Sequence, residues 1–395
     1  MNASQGFLFF LLLLGAAATM LRLLSRAAPA LPYAVLLALG GILIGLVPGL
    51  HQPAIGPDLI LLVFVPGLVF EAALTLDLDE LRRRALPVGL LATAGVFLTV
   101  IVIGALSHYG LGFSWGSAFL LGAIVAATDP IAVVSVLRRL HAPRGLDAIL
   151  EGESLFNDGT GVAAFAAVLG TLLSGHPSAL DAGFRFLFVT AAGALVGGAA
   201  GAAGVLLLRR VKEAELEIML TLVIAYGSYL AADVVGSSGV VSVVVAGIVI
   251  ARFGERTGRL KGSQLLGFWN LLAFVLNAVL FLLIGVAVPT AKLLAAGGLV
   301  IGAYLIMVAA RALPVYGLLS MADLRGRAIP WRWRHLAFWG GLRGALSVAL
   351  ALSVVGYRQV EPQVSVVAYG IVVLSLLVQG GLLLPVAGRL GLRET

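Results

Sequence analysis

Apolar runs of membrane-crossing length, about 17 to 25 residues each, follow one another along this whole sequence, parted by short links of glycine, proline and charged residues. Thirteen are read, centred near residues 15, 40, 66, 96, 127, 160, 196, 223, 245, 277, 307, 346 and 374. In a bilayer every backbone polar group needs an internal partner, so such runs become helices. The fold class that follows is an all-α integral membrane protein of about 13 transmembrane helices, with residues 1–395 forming a single membrane domain. Composition agrees, because only 11% of residues are charged where soluble domains carry about 25%. Cysteine is absent, which removes disulfide, thiolate and iron–sulfur chemistry. The first run lacks a small-residue cleavage site and leads straight into further spans, so it reads as a retained helix.

The basic residues give the orientation. Of 26 Lys and Arg, 21 fall in the links after odd-numbered runs or in the C-terminal tail. Arg185, Lys292 and Arg358 fall on the other side, and Arg311 and Arg343 lie inside runs. Basic residues are retained on the cytoplasmic face. The asymmetry therefore predicts a multi-pass protein of the plasma (inner) membrane with its N-terminus outside and its C-terminus inside. The net charge of +7 is accounted for as an orientation signal, and a nucleic-acid partner has nothing left to explain.

Charges inside the bilayer cost about 2.5 to 3.5 kcal/mol each and default to paired or functional roles. Those at depth are Glu71, Asp129, Glu153, Asp158, Arg311 and Arg343, with Glu151 nearer the cytoplasmic interface. Counting about 1.5 Å per helical residue puts Arg311 and Glu153 at matching depth. It brings Arg343 within reach of either Glu71 or Glu153. Two arginines against four carboxylates leave Asp158 and Asp129 over. A carboxylate at mid-membrane without a fixed counter-charge must hold a proton or a metal cation. That is the physical core of a proton/cation exchanger.

Spacing adds to this. In "EGESLFNDGTG", Ser154 and Asp158 share a helix face, as do Glu153 and Asn157, so oxygens line one side of run six. In "ATDPIAV", Pro130 removes a backbone hydrogen bond and disfavours helical geometry at Asp129, which predicts a break at Thr128 and Asp129 with freed carbonyl oxygens. Run twelve has a matching weak spot in "WGGLRGALS", where Gly340, Gly341 and Gly344 surround Arg343. Lying seven runs apart, the two breaks cross the membrane in opposite directions. This predicts two inverted repeats with broken, crossing helices, runs one to six and eight to thirteen. Repeat one covers about 6–175, a linker helix about 182–209 and repeat two about 214–388.

"ATDPIAVVSVLRRLHAP", "EGESLFNDGTGVAAF", "FVLNAVLFLLIG" and "GGLRGALSVALALS" resemble the motifs of the NhaP/NHE-type sodium/proton antiporters, the first branch of the monovalent cation/proton antiporters. The resemblance runs in order over nearly the whole chain. It implies the antiporter fold, a homodimer, and an elevator in which core helices of about 84–175 and 296–388 move against dimerisation helices from the remainder. It also implies that Asp158 is the proton- and cation-exchanging carboxylate, with Na+ or Li+ held by Asp158, Asp129, Ser154 and the Thr128 carbonyl and with Glu153 assisting. Asn157, where an electrogenic branch has a second Asp, implies electroneutral one-for-one exchange. Arg311 and Arg343, with Glu71, Gly341, Gly344 and Pro130, are implied to steady the crossed helices and their acidic neighbours. Because the sequence ends shortly after run thirteen, no long cytoplasmic regulatory tail of the animal kind is expected.

Structural readings stand beside these roles. Asp158 can be a permanently protonated acid, and Asp129 a helix-break residue that caps freed backbone groups. Glu153 fits a salt-bridge partner better than a direct ligand, Glu71 reads as structural, and Asn277 reads as an interhelical hydrogen-bond residue. The histidines lie in links or near run ends, where a solvated side chain is the default and pH sensing by His141 or His335 the alternative. An enzyme is not expected: "GESLF" has Phe156 where a nucleophile elbow needs its second glycine, and no histidine lies at depth. A cation channel or uniporter, or a sodium-coupled organic-anion symporter on a related scaffold, are the alternative functions. No cofactor is expected beyond the transported ions.

Overall fold

The structure is a computed structural model and describes residues 3–27, 31–47, 56–140, 144–175, 178–257, 264–323 and 329–391. His141, for which pH sensing is the alternative reading, lies outside the described residues, as do His51 and His176.

The thirteen crossings are all present. The first four are α1 (Ala3–Ala27), α2 (Tyr33–Gly45), α3 (Pro57–Thr75) and α4 (Ala85–Leu111). The fifth is split into α5 (Trp115–Ile124) and α6 (Ile131–Leu140). Then come α7 (Arg144–Leu173), α8 (Ala179–Leu208), α9 (Ala214–Val234), α10 (Gly239–Thr257), α11 (Gln264–Val286) and α12 (Gly297–Ala322). The twelfth crossing is split again, into α13 (Trp331–Trp339) and α14 (Ala345–Ser353), and α15 (Gln363–Arg389) closes the bundle.

The inverted repeat is visible in paired defects. The fifth and twelfth crossings are the broken ones, seven apart as the sequence predicts. The fourth and eleventh, also seven apart, each carry a π-helical turn, Leu90–Gly95 in α4 and Leu313–Leu318 in α12, and the two pack on one another; two more such turns, Ile60–Phe64 in α3 and Ser375–Gly380 in α15, do not follow the repeat. Pro314 accounts for the turn in α12, since proline has no N–H to donate to the carbonyl of the preceding turn and its ring crowds that carbonyl, which widens the helix there.

Helices approach closely where glycine allows. A Cβ on Gly197 of α8 would lie 2.1 Å from the Ser242 carbonyl oxygen of α10, and one on Gly285 of α11 would lie 2.2 Å from that of Ala38 on α2. Such backbone-to-backbone contact replaces the hydrophobic effect that lipid cannot supply. The apolar window of α8 is only 28% buried within the molecule and that of α9 33%, against 61% for α15. Helices α8 and α9 therefore lie at the outside of the bundle, while the broken crossings sit inside: every residue from Ala345 to Ala351 is buried.

One end of the bundle is clasped outside the apolar layer. The short helix Leu78–Arg83 is capped by Asp77, whose Oδ1 accepts from the N–H of Asp79 and of Glu80 at 3.1 and 2.9 Å. Glu80 accepts from Arg83 at 2.7 Å and from Arg84 at 3.1 Å, and the Arg83 bond first of all holds the Glu80 carboxyl below its usual range. The Arg84 guanidinium lies 5.5 Å over the Trp333 ring and ties this end to α13.

Candidate functional site

The two breaks cross each other and are joined by a backbone hydrogen bond, and a second bond ties the twelfth-crossing break to α15. The Asp129 N–H donates to the Leu342 carbonyl at 2.8 Å, and the Arg343 N–H to Ser375 Oγ at 3.1 Å. Each break leaves a helix C-terminus with unpaired carbonyls and a helix N-terminus with unpaired N–H groups. An arginine meets each C-terminus. Arg343 Nη1 donates to the carbonyls of Ala126 and Ala127 at 2.5 and 3.0 Å, just past α5, and Arg311 Nη2 to that of Ala337 near the end of α13 at 3.2 Å. A carboxylate meets the N-termini. Asp129 Oδ1 accepts from the Ile131 N–H of α6 at 2.9 Å, while its Oδ2 stands against Gly344, the residue that opens α14. Helix dipoles present negative C-termini and positive N-termini, so four half-helix ends at mid-membrane are compensated by three side chains.

This corrects one expectation. Arg343 meets neither Glu71 nor Glu153 by hydrogen bond or ion pair. Its bonds go to carbonyls that the fifth-crossing break releases, leaving Nε and Nη2 without partners among the described residues. Arg311 does pair with Glu153: Nη1 bonds Oε1, and Nη2 reaches Oε2 at 2.9 Å, in a forked, buried geometry. Glu71 lines the wall of the cavity described below, away from that pair.

Helix α7 carries the rest. Asn157 clamps Thr128 with both ends of its amide, Oδ1 accepting the Thr128 N–H at 3.2 Å and Nδ2 donating to Thr128 Oγ1 at 2.7 Å. Thr128 Oγ1 lies 3.1 Å from Ser154 Oγ. The Thr128 carbonyl accepts no hydrogen bond among the described residues and stays available. The expected strip of oxygens on α7 divides: Ser154 and Asp158 face a cavity of 870 Å³, while Glu153 turns to Arg311. Asp129, Thr128 and Gly344 line the same cavity, together with Arg22, Arg26, Glu151 and Asn270. Asp158 makes no hydrogen bond and no ion pair among the described residues. Gly341 fits closely as well, since a Cβ there would lie 2.8 Å from Arg311 Nε.

Two further expectations are settled in detail. Asn277 does not bridge helices through its carbonyl, because Oδ1 is buried with no hydrogen-bond partner among the described residues. His335 is not a solvated loop residue; its Nδ1 lies 2.8 Å from the Tyr316 hydroxyl in an aromatic cluster with Trp331. Ser375 and Ser347, which the sequence reading passes over, lie respectively on the Arg343 backbone and in the cavity wall. The signal for Ser347 is its spacing, four residues after Arg343 on the half-helix the break begins.

A family model described as "Sodium/hydrogen exchanger, transmembrane" matches residues 9–388. The chain is 37% identical over 366 residues to the Na(+)/H(+) antiporter ApNhaP of Aphanothece halophytica, covering 92% of this chain and 70% of that protein. It is 36% identical to the Na(+)/H(+) antiporter NhaP of Pseudomonas aeruginosa over 345 residues, 83% of this chain and 80% of the other. Among solved structures, the sodium proton antiporter MjNhaP1 of Methanocaldococcus jannaschii at pH 8 superposes with a TM-score of 0.78 over 98% of this chain and 99% of that one, at 20% identity. On the match across nearly its full length, the chain belongs to the sodium/hydrogen exchanger family, a family of multi-pass membrane transporters.

Proposed function

We propose that this protein exchanges Na+, or Li+, for a proton, one for one, across the plasma membrane. The observation that carries the reading is Asp158, a carboxylate inside the bundle that faces a cavity with no hydrogen bond or ion pair among the described residues. A carboxylate so placed is too costly to leave empty and charged. Bearing either a proton or a cation it is neutral, and two loaded forms that cross with one empty form that does not couple the two fluxes. The relatives' names as Na(+)/H(+) antiporters support the same reading.

The residues divide the work. Asp158 takes the ion; Asp129, Ser154 and the Thr128 carbonyl supply oxygens around it, all hard donors suited to a small alkali cation. Asn157 holds Thr128 in place without adding charge, which fits electroneutral exchange. Glu153 serves Arg311, and that pair with Arg343 neutralises the half-helix ends. Gly341, Gly344 and Pro130 let the breaks approach.

The movement assigned to the protein is an elevator. The core is α4 to α7 and α12 to α15, about 84–175 and 296–388, sliding against dimerisation helices from the rest in a homodimer within the lipid bilayer. With the N-terminus outside, the cavity lined by Arg22, Arg26 and Glu151 is assigned to the cytoplasmic side, which makes this an inward-facing state in the proposed cycle.

The test is cation-driven proton movement in proteoliposomes holding wild type or Asp158→Asn. Wild type is expected to move protons on addition of Na+ or Li+, and the variant to lose this by at least about a hundredfold. Exchange that survives in Asp158→Asn, or cation flux without proton counterflow, sinks the reading.

A further inference from the structure

Two residues on the wall of the ion cavity each carry an oxygen with no hydrogen-bond partner among the described residues. Asn277 Oδ1, on α11, and Ser347 Oγ, on α14, are both buried and both lack a hydrogen-bond partner among the described residues. Both residues line the 870 Å³ cavity that holds Asp158 and Asp129, and the two helices that carry them pack against each other. Ser347 is almost wholly buried and lies in the first turn of α14, three residues after Gly344, against which Asp129 stands. Buried oxygens left unpaired at membrane depth are costly, and a bound water or ion is one of the ways in which native structures satisfy them.

We infer that Asn277 and Ser347 form a cation-selective pair of ligands in this access state, an amide oxygen from the static wall and a hydroxyl from the moving core that complete the alkali ion's shell. The inference rests on the exchange reading above. Its physical value lies in the chemistry of the two groups. Neither oxygen takes up a proton at neutral pH, so as ligands they add to the binding of the metal ion without binding a proton of their own. In a site where the two ions compete for one carboxylate, neutral donors are what shift the balance towards the cation. The pair is also divided between parts that slide past each other. Ser347 travels with the site, whereas Asn277 stays behind, so its contribution belongs to the face on which the cavity is open.

The experiment measures half-saturating Na+ in everted and right-side-out vesicles for wild type, Asn277→Ala and Ser347→Ala, with Asn277→Gln and Ser347→Thr as variants that keep the oxygen. Asn277→Ala is expected to raise half-saturating Na+ about three- to tenfold on the cavity's open side alone, and Ser347→Ala by a similar factor on both sides. Maximal rate and proton dependence at saturating Na+ stay within about twofold of wild type, and the oxygen-keeping variants recover most of the affinity. Unchanged half-saturation in both alanine variants overturns the inference, since a water molecule then suffices to satisfy the two atoms. A fall in maximal rate at constant half-saturation overturns it as well, as that is the mark of a packing role. Where wild type exchanges normally and the variants match it, this inference falls alone; where wild type moves no protons on cation addition, the exchange reading falls and takes it along.

Discussion

A Cβ on Gly344 would lie 2.3 Å from Oδ2 of Asp129 and 2.6 Å from its Cβ, so the carboxylate and the opening of α14 occupy one another's only room. The arrangement is mutual. Asp129 cannot swing away without losing the bond to the Ile131 N–H that starts α6. Gly344→Ala is therefore expected to displace Asp129, lowering Na+ affinity by about tenfold or more while the protein still folds. Proteoliposome exchange checks this, together with thermal melting in detergent. The double variant Gly344→Ala/Asp129→Ala should be no worse than Asp129→Ala alone; additive losses would mean the glycine acts elsewhere.

Arg311 and Glu153 form the second fixed relationship, a forked pair between α12 and α7. Removing one partner from a buried pair leaves an uncompensated charge and costs about 3 to 5 kcal/mol. Arg311 also holds the Ala337 carbonyl. Glu153→Gln and Arg311→Met should each lower the melting temperature sharply, and the double variant should recover a large part of the loss, because two neutral groups leave no stranded charge. Melting of the four proteins makes one double-mutant cycle. If Glu153→Gln keeps full stability but loses Na+ affinity, Glu153 is a direct ligand instead.

How far the sequence reached depends on the kind of signal. Lipid forces each crossing to be long, apolar and internally bonded, so crossings such as α4 and α15 stand out in a single pass. The breaks are equally legible, because Asp129–Pro130 and the glycines around Arg343 are local chemistry. The Arg311–Glu153 pair follows from depth. The partners of Arg343 do not: the carbonyls of Ala126 and Ala127 become acceptors only because the helix unwinds, and a backbone acceptor leaves no trace in residue type. Ser347 and Ser375 are hidden for a related reason. A serine in an apolar run is neutral and small, and whether it faces a cavity or a backbone N–H is decided by tertiary packing. The π-turn in α4 has no proline of its own within Leu90–Gly95, whereas its counterpart in α12 is marked by Pro314.

Competition at Asp158 makes a sharper prediction than exchange alone. No hydrogen bond or ion pair among the described residues ties that carboxylate, so proton and cation contend for it directly. Below the carboxyl's own pKa the proton wins, and more Na+ is needed as pH falls. The acid limb of the pH–rate profile should thus move down by about one pH unit for each tenfold increase in Na+, the displacement expected when one proton leaves for one cation. Two protons per ion would halve that slope. The same stoichiometry governs the response to voltage. A cycle that moves one net charge is biased by about 2.3 kcal/mol per 100 mV, enough to change a driven rate many-fold, while a neutral cycle is not biased at all. Wild-type exchange should accordingly be indifferent to an imposed potassium diffusion potential, because Asn157 spends both ends of a neutral amide on Thr128 and brings no second titrating carboxylate to the site. A clear acceleration by inside-negative potential would require another group to carry charge through the cycle, and Asp129, at the meeting point of two helix N-termini, is where that charge would sit.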